Sequence, residues 1–268
     1  MSRIDDVCIR WLWLAAWLVV VQPSAAYGGA PPARLLDVAA AADLRYAFEE
    51  LAPAFERQEG VRLRFSFGSS GQLAAQIAYG APFDVFFSAN EEFVERLARR
   101  GAVVAASVRL YAVGRLVLWV RRDAPLDPAR GLRLLDDPRV RFVAIAHPDH
   151  APYGAAAREA LIADRRWLHV RAKLVYGENV GHALQLVQTG NADVGLVALS
   201  LALAPPVAPQ GRYWLIPQAL HAPIRQAAAV TARSARQAEA RAFLAFVTGP
   251  VGRPVMRRYG FVLPGEGP

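Results

Sequence analysis

An α/β fold assembled from two units is the architecture this sequence predicts. Short apolar runs of strand length alternate with segments whose apolar residues recur at helical spacing. The connections between them are short and rich in Gly, Ala, Ser and Asn. Near residues 110–120 the pattern changes, and a second series of the same kind begins. Strands that alternate with helices imply crossover connections and a mostly parallel sheet.

The first unit opens with a strand from Leu35 to Ala40. Asp43 is placed to cap a helix whose apolar face is Leu44, Ala47, Phe48, Leu51 and Phe55. Val61 to Phe67 alternates as a strand does, and a helix follows from Gly71 to about Tyr79. Asp84 to Ser88 is a short apolar strand, and Asn90 caps a helix carrying Phe93, Leu97 and Ala98. A long apolar strand, Leu116 to Val120, leads into the second unit. There Val140 to Ala146 is a strand, and Pro152 opens a helix through Leu161. Leu174 to Tyr176 is a strand, Val180 to Val187 is a helix stopped by Gly190, and Val194 to Leu199 is a buried strand. Residues 213–217 and 224–231 are extended, and helices over 235–247 and 255–259 end the chain.

The first residues predict export. Arg3 and Arg10 precede an apolar run from Trp11 to Val21, too short for a comfortable transmembrane helix, and Ser24-Ala25-Ala26 supplies small residues before a cleavage point. Residues 1–26 therefore read as a signal peptide, with a retained membrane anchor as the competing reading. Cys8 is the single cysteine of the 268 residues and precedes the apolar run, so the mature chain would have none and would rest on its core alone. The net charge is +8, but the arginines are spread thinly, without basic and aromatic residues in one run. No nucleic acid is expected as a partner; a general attraction for anions fits.

Four loops share one design: a strand ends, small or polar residues follow, and a helix starts. They are residues 40–43, 68–71, 151–154 and 177–180. In open α/β sheets ligands sit beyond the carboxyl ends of strands, where such loops converge. The first amides of a helix are unpaired and lie at the positive end of its dipole, so they suit a small anion. For Gly68-Ser69-Ser70-Gly71 taken alone, a serine side-chain cap is the competing reading.

Five stretches then narrow the reading: Phe67-Gly-Ser-Ser-Gly-Gln-Leu, Gly80-Ala-Pro-Phe-Asp-Val-Phe-Phe-Ser-Ala, His147-Pro-Asp-His-Ala-Pro-Tyr-Gly, Gly177-Glu-Asn-Val and Arg258-Tyr-Gly-Phe. Their order and spacing resemble the periplasmic molybdate-binding proteins, the substrate-binding components of molybdate ABC transporters. That resemblance implies a two-lobed periplasmic-binding-protein fold of type II, with the ligand cleft between the lobes. Lobe 1 would be discontinuous, residues 34–112 and 222–268, and lobe 2 would span 113–221. It implies a monomer in the periplasm that closes on molybdate, and on tungstate as well, and delivers it to a permease at the inner membrane. No catalysis, no cofactor and no metal centre beyond the molybdate contacts are expected.

Carried over by position, Ser70 supplies a hydroxyl, and Tyr153 and Val180 supply main-chain amides. Asp43 stands where the family offers serine or asparagine. An ionised carboxylate would repel a dianion, so Asp43 is expected to cap its helix sideways while the Ala42 or Asp43 amide faces the ligand. Ala198 stands where some members place a tyrosine hydroxyl, a contact either missing or taken over by Tyr153. Donors fixed on rigid helix ends cannot collapse onto a smaller ion, so cavity size would exclude sulfate. The alternatives are a carrier for sulfate, phosphate or another oxyanion, and a periplasmic sensor or enzyme on the same scaffold.

The remaining motifs take plainer roles. His147 and His150 have metal-like spacing but no third ligand nearby, which favours a surface or capping role. A serine nucleophile at Ser70 would need His182 or His221 beside it. Trp119, Trp167 and Trp214 read as packing residues.

Overall fold

The structure, a computed structural model, describes residues 34–266. The expected signal peptide and the start of the mature chain lie outside the described residues. The first half of the chain runs β1 (Arg34–Ala41), α1 (Arg45–Glu59), β2 (Val61–Gly68), α2 (Ser70–Ala78), β3 (Val85–Ser88), α3 (Glu91–Arg99), β4 (Arg109–Gly114) and β5 (Leu116–Arg121). It continues through β6 (Val143–Ala146), α4 (Pro152–Ala163), α5 (Trp167–Val170), β7 (Leu174–Gly177), α6 (Val180–Gln188), β8 (Val194–Ala198) and α7 (Leu199–Ala202). The last elements are β9 (Gly211–Leu215), β10 (Ile224–Val230), α8 (Gln237–Thr248) and α9 (Gly252–Arg258).

The strands form two five-stranded sheets, in the orders β2-β1-β3-β10-β4 and β7-β6-β8-β5-β9. In each sheet three strands pair parallel, while the next, β10 or β5, runs antiparallel to both its neighbours. Four of five strands therefore point the same way, which is the mostly parallel α/β sheet the sequence predicts. Only Arg115 separates β4 in the first sheet from β5 in the second, and the chain returns between β9 and β10.

The central strands β1, β3 and β10 of the first sheet are covered on both faces and are nearly continuous in buried residues, whereas the edge strand β2 alternates. Successive side chains point to opposite faces. Ala39, Phe86, Ala227 and Ala229 pack with Leu73, Ile77, Val94 and Leu97 of α2 and α3. Val38, Ala40, Val85 and Phe87 face the other way, toward α1 and α8. Phe243 of α8 sits at the centre of that side, with its ring 5.5 Å from Phe48, 5.0 Å from Phe55 and 5.5 Å from Phe87, all edge-on.

Several boundaries differ from expectation for physical reasons. Strand β6 starts at Val143 because the amides of Arg141 and Phe142 donate to the Asp193 carboxylate instead of a ladder. The apolar run ending at Leu199 turns into α7, since short apolar runs do not distinguish strand from helix. On α3 the buried residues are Val94 and Leu97, and Phe93 is only partly covered.

One irregularity bears on the site. Gln226 pairs with Ala112 and Ala227 with Leu110, so Tyr111 is an extra residue in a bulge between β10 and β4. Bulges re-aim side chains next to sites. Here the Tyr111 hydroxyl donates to Gln226 Oε1 at 2.7 Å. Truncating Phe243 to Ala empties the centre of the aromatic cluster and is expected to cost about 3–5 kcal/mol; urea unfolding measures it, and a loss below about 1 kcal/mol would contradict this packing.

Candidate functional site

The loops that end β1, β2, β6 and β7 converge. Ala42, Asp43, Ser70, Tyr153 and Val180 all line one small, tightly closed cavity of about 10 Å³. The first two come from a short helical turn after β1, Ser70 opens α2, Tyr153 is the second residue of α4 and Val180 is the first of α6. Each amide is thus among the first of a helical segment, the set with no acceptor inside the helix. Among the described residues lining the cavity none is cationic.

The two serines of the second loop part company. Ser69 occupies the N-cap position of α2 but makes no side-chain cap. Its hydroxyl donates to the His150 carbonyl oxygen at 2.6 Å and meets His150 Nδ1 at 2.8 Å. The Gly71 amide donates to the same carbonyl at 2.9 Å, and a Cβ at Gly71 would come within 2.7 Å of that oxygen. His150 therefore caps α2 from across the cleft, with His147 stacked on its ring. Ser70 Oγ instead accepts the Ala89 amide at 2.9 Å. Its proton has no acceptor among the described residues and is left to donate.

Asp43 departs from the expected cap. Neither the turn it belongs to nor α1 has a side-chain cap. Its carboxyl is buried, and Oδ2 accepts both the Tyr153 hydroxyl at 2.9 Å and Gln226 Nε2 at 2.7 Å, while Oδ1 has no partner among the described residues. The backbone oxygen of Asp43 accepts from Ser200 Oγ at 2.8 Å. Tertiary partners have outcompeted the local amides that would make a cap. Gly114 leaves the room: a Cβ there would lie 2.1 Å from the Tyr153 hydroxyl oxygen and 2.6 Å from Gln226 Nε2. The Tyr153 hydroxyl is spent on Asp43 and does not replace the family tyrosine. Ala198, buried at the end of β8, does not line the cavity.

Gln226, Tyr111 and Ser200 escaped the sequence reading. Gln226 did carry a signal, as the one long polar side chain in the buried stretch of β10. Neither His182 nor His221 bonds to Ser70; His182 Nδ1 accepts the Glu178 amide, and Asn179 caps α6 through His182 N.

The profile of the bacterial extracellular solute-binding proteins matches residues 36–262. The molybdate-binding protein ModA of Azotobacter vinelandii is 35% identical over 92% of this chain and 97% of its own. The chain belongs to the ModA family of bacterial extracellular solute-binding proteins. ModA of Rhodobacter capsulatus is 38% identical over 84% of this chain and 86% of its own. The solved periplasmic molybdate-binding protein of Azotobacter vinelandii superposes with a TM-score of 0.80 at 34% identity, covering 85% of this chain and 99% of that one.

Within this ModA-family cleft the electrostatics turn on Asp43. Burial pushes its carboxyl from the ordinary 3.8 up to about 6, against the opposing hydrogen bonds from Gln226 and Tyr153 and the pull of Asp43's own backbone amide. Burial also raises the Tyr153 and Tyr111 hydroxyls well above the usual tyrosine value, and the Asp43 charge adds to it. A carboxyl whose folded value exceeds its unfolded one binds more protons when folded, so its contribution is lost as pH rises through about 6. The loss is on the order of 3 kcal/mol. Asp43→Asn is expected to abolish that part of the stability difference between pH 4 and pH 7, read from urea curves at both; an unchanged difference would show that Asp43 carries no buried charge.

Proposed function

We propose that the cleft binds molybdate, and tungstate equally, as a fully ionised tetrahedral ion, and that the chain delivers it to an ABC-type permease. The carrying observation is a cavity at four helical N-termini that no cationic side chain lines. A fully ionised oxyanion offers only acceptors, and amides and hydroxyls answer it with donors. In this reading the Ala42 or Asp43 amide, the Ser70 hydroxyl and the Tyr153 and Val180 amides hold the ion. The name borne by the ModA relatives supports molybdate as the ion.

The two sheets with their helices serve as the lobes, 34–112 with 222–268 and 113–221. The contacts of Ser69 and Gly71 with His150 then become part of the closed state, which a bridging ligand favours by differential affinity. The protein acts as a periplasmic monomer, exported by its signal peptide, and as a carrier without catalysis or cofactor. Arg45, His182 and the acidic Glu178 line an open groove next to the cavity, so its charge is mixed.

Calorimetric titration is expected to give molybdate and tungstate similar affinities and sulfate and phosphate far weaker ones; sulfate binding as tightly as molybdate would overturn the size argument. Val180→Pro isolates a main-chain donor. Proline suits the first position of a helix, and Asn179 before it is already extended, at φ −146° and ψ 176°. The variant should fold normally and bind molybdate more weakly by about 1–3 kcal/mol; unchanged affinity would remove the Val180 amide from the site.

A further inference from the structure

We propose that Asp43 is a specificity-determining donor of this site: the cleft takes up one proton with each oxyanion, and the neutral Asp43 acid gives the ion a hydrogen bond from Oδ1. The inference rests on the oxyanion reading above and adds a proton to it. Three observations carry it. Asp43 lines the cavity and is buried. Its Oδ2 is committed to Tyr153 and Gln226, so a proton on Oδ1 displaces neither bond. Oδ1 is the atom left without a partner, and an orphaned buried oxygen in a ligand cavity points to a ligand.

Among the described residues, nothing else near the carboxyl neutralises it. Tyr153 on α4 and Tyr111 on β4 are the titratable groups facing it, and both are held in their neutral form. Arg45 on α1 lies over the Phe67 ring and pairs with Glu49, and Arg64 on β2 pairs with Asp37. His182 on α6 faces the neighbouring groove, and α7 contributes no charged side chain. A dianion brought against an ionised carboxylate in a dry site meets strong repulsion. A group that titrates at about 6 is half protonated at pH 7.5 under a roughly thirtyfold bias, and a roughly three-hundredfold bias holds about nine-tenths of its proton there. The proton comes from solvent, passes to Oδ1 and leaves with the ion, so no other reactant is required. The same carboxyl explains why a site with an acidic residue in its wall can still hold an anion.

The test is calorimetry of the wild-type chain with molybdate at pH 7.5 in two buffers of different ionisation enthalpy, repeated from pH 6 to pH 8.5, where molybdate is itself fully ionised. The expected result is uptake approaching one proton per ion at pH 7.5, with affinity falling close to tenfold per pH unit above about pH 7. In Asp43→Asn the amide oxygen can keep both partners of Oδ2 while Nδ2 takes the place of the protonated Oδ1. That variant should bind without proton uptake and with a flat pH profile. Molybdate binding by the wild type with no proton uptake and a flat profile would overturn the proposal and leave the oxyanion reading standing. Phosphate binding more tightly than molybdate, without uptake, would show Asp43 ionised and accepting the ion's own proton, and would overturn it too. No molybdate binding at any pH would sink the oxyanion reading itself.

Discussion

A carboxyl with no cation beside it among the described residues joins the two sides of the cleft. Asp43 stands after β1, Tyr153 is the second residue of α4 beyond β6, and Gln226 and Tyr111 stand behind them on β10 and β4. In water each such bond contributes little, but once buried an unmade bond costs the desolvation of its group. The bulge that turns Tyr111 out of register and the missing side chain at Gly114 both make sense as accommodations to this network. So does the Ser200 hydroxyl that holds the Asp43 backbone oxygen.

Around that network the site is built from the backbone. In the proposed site, helical starts after strands of both sheets offer amides, and Ser70 Oγ accepts the Ala89 amide, which leaves its proton without an acceptor among the described residues. In the proposed reading, donors of this kind cannot rotate to suit a smaller guest, and cavity size selects the ion. The adjoining serine is used differently: Ser69 and Gly71 grip the His150 carbonyl across the cleft, so one turn of chain both lines the cavity and ties its two sides together.

Most of the fold was legible along the chain because the periodicity of burial is local. The strands β1, β2, β5 and β7 and the helices α1, α2, α4 and α6 fall within a residue or two of where spacing and caps put them. Failures came where side chains reached far. The amides of Arg141 and Phe142 are claimed by Asp193, more than 50 residues on, and shorten a strand. Ser69 and Asp43 both stand where a cap is expected and make none, because partners 81 and 110 residues away hold them instead.

The sequence by itself determined the alternation of strands and helices and the small-residue loops that expose helical amides, since both follow from residues close together in the chain. It also carried the motifs that mark a ModA-family protein. Only the tertiary structure decided what Asp43 does. Its hydrogen-bond partners lie 110 and 183 residues away, and its loss of water depends on everything packed over it. A carboxyl's charge in a cavity is set by that surrounding dielectric and by which of its two oxygens is already taken, and neither is written in its neighbours along the chain.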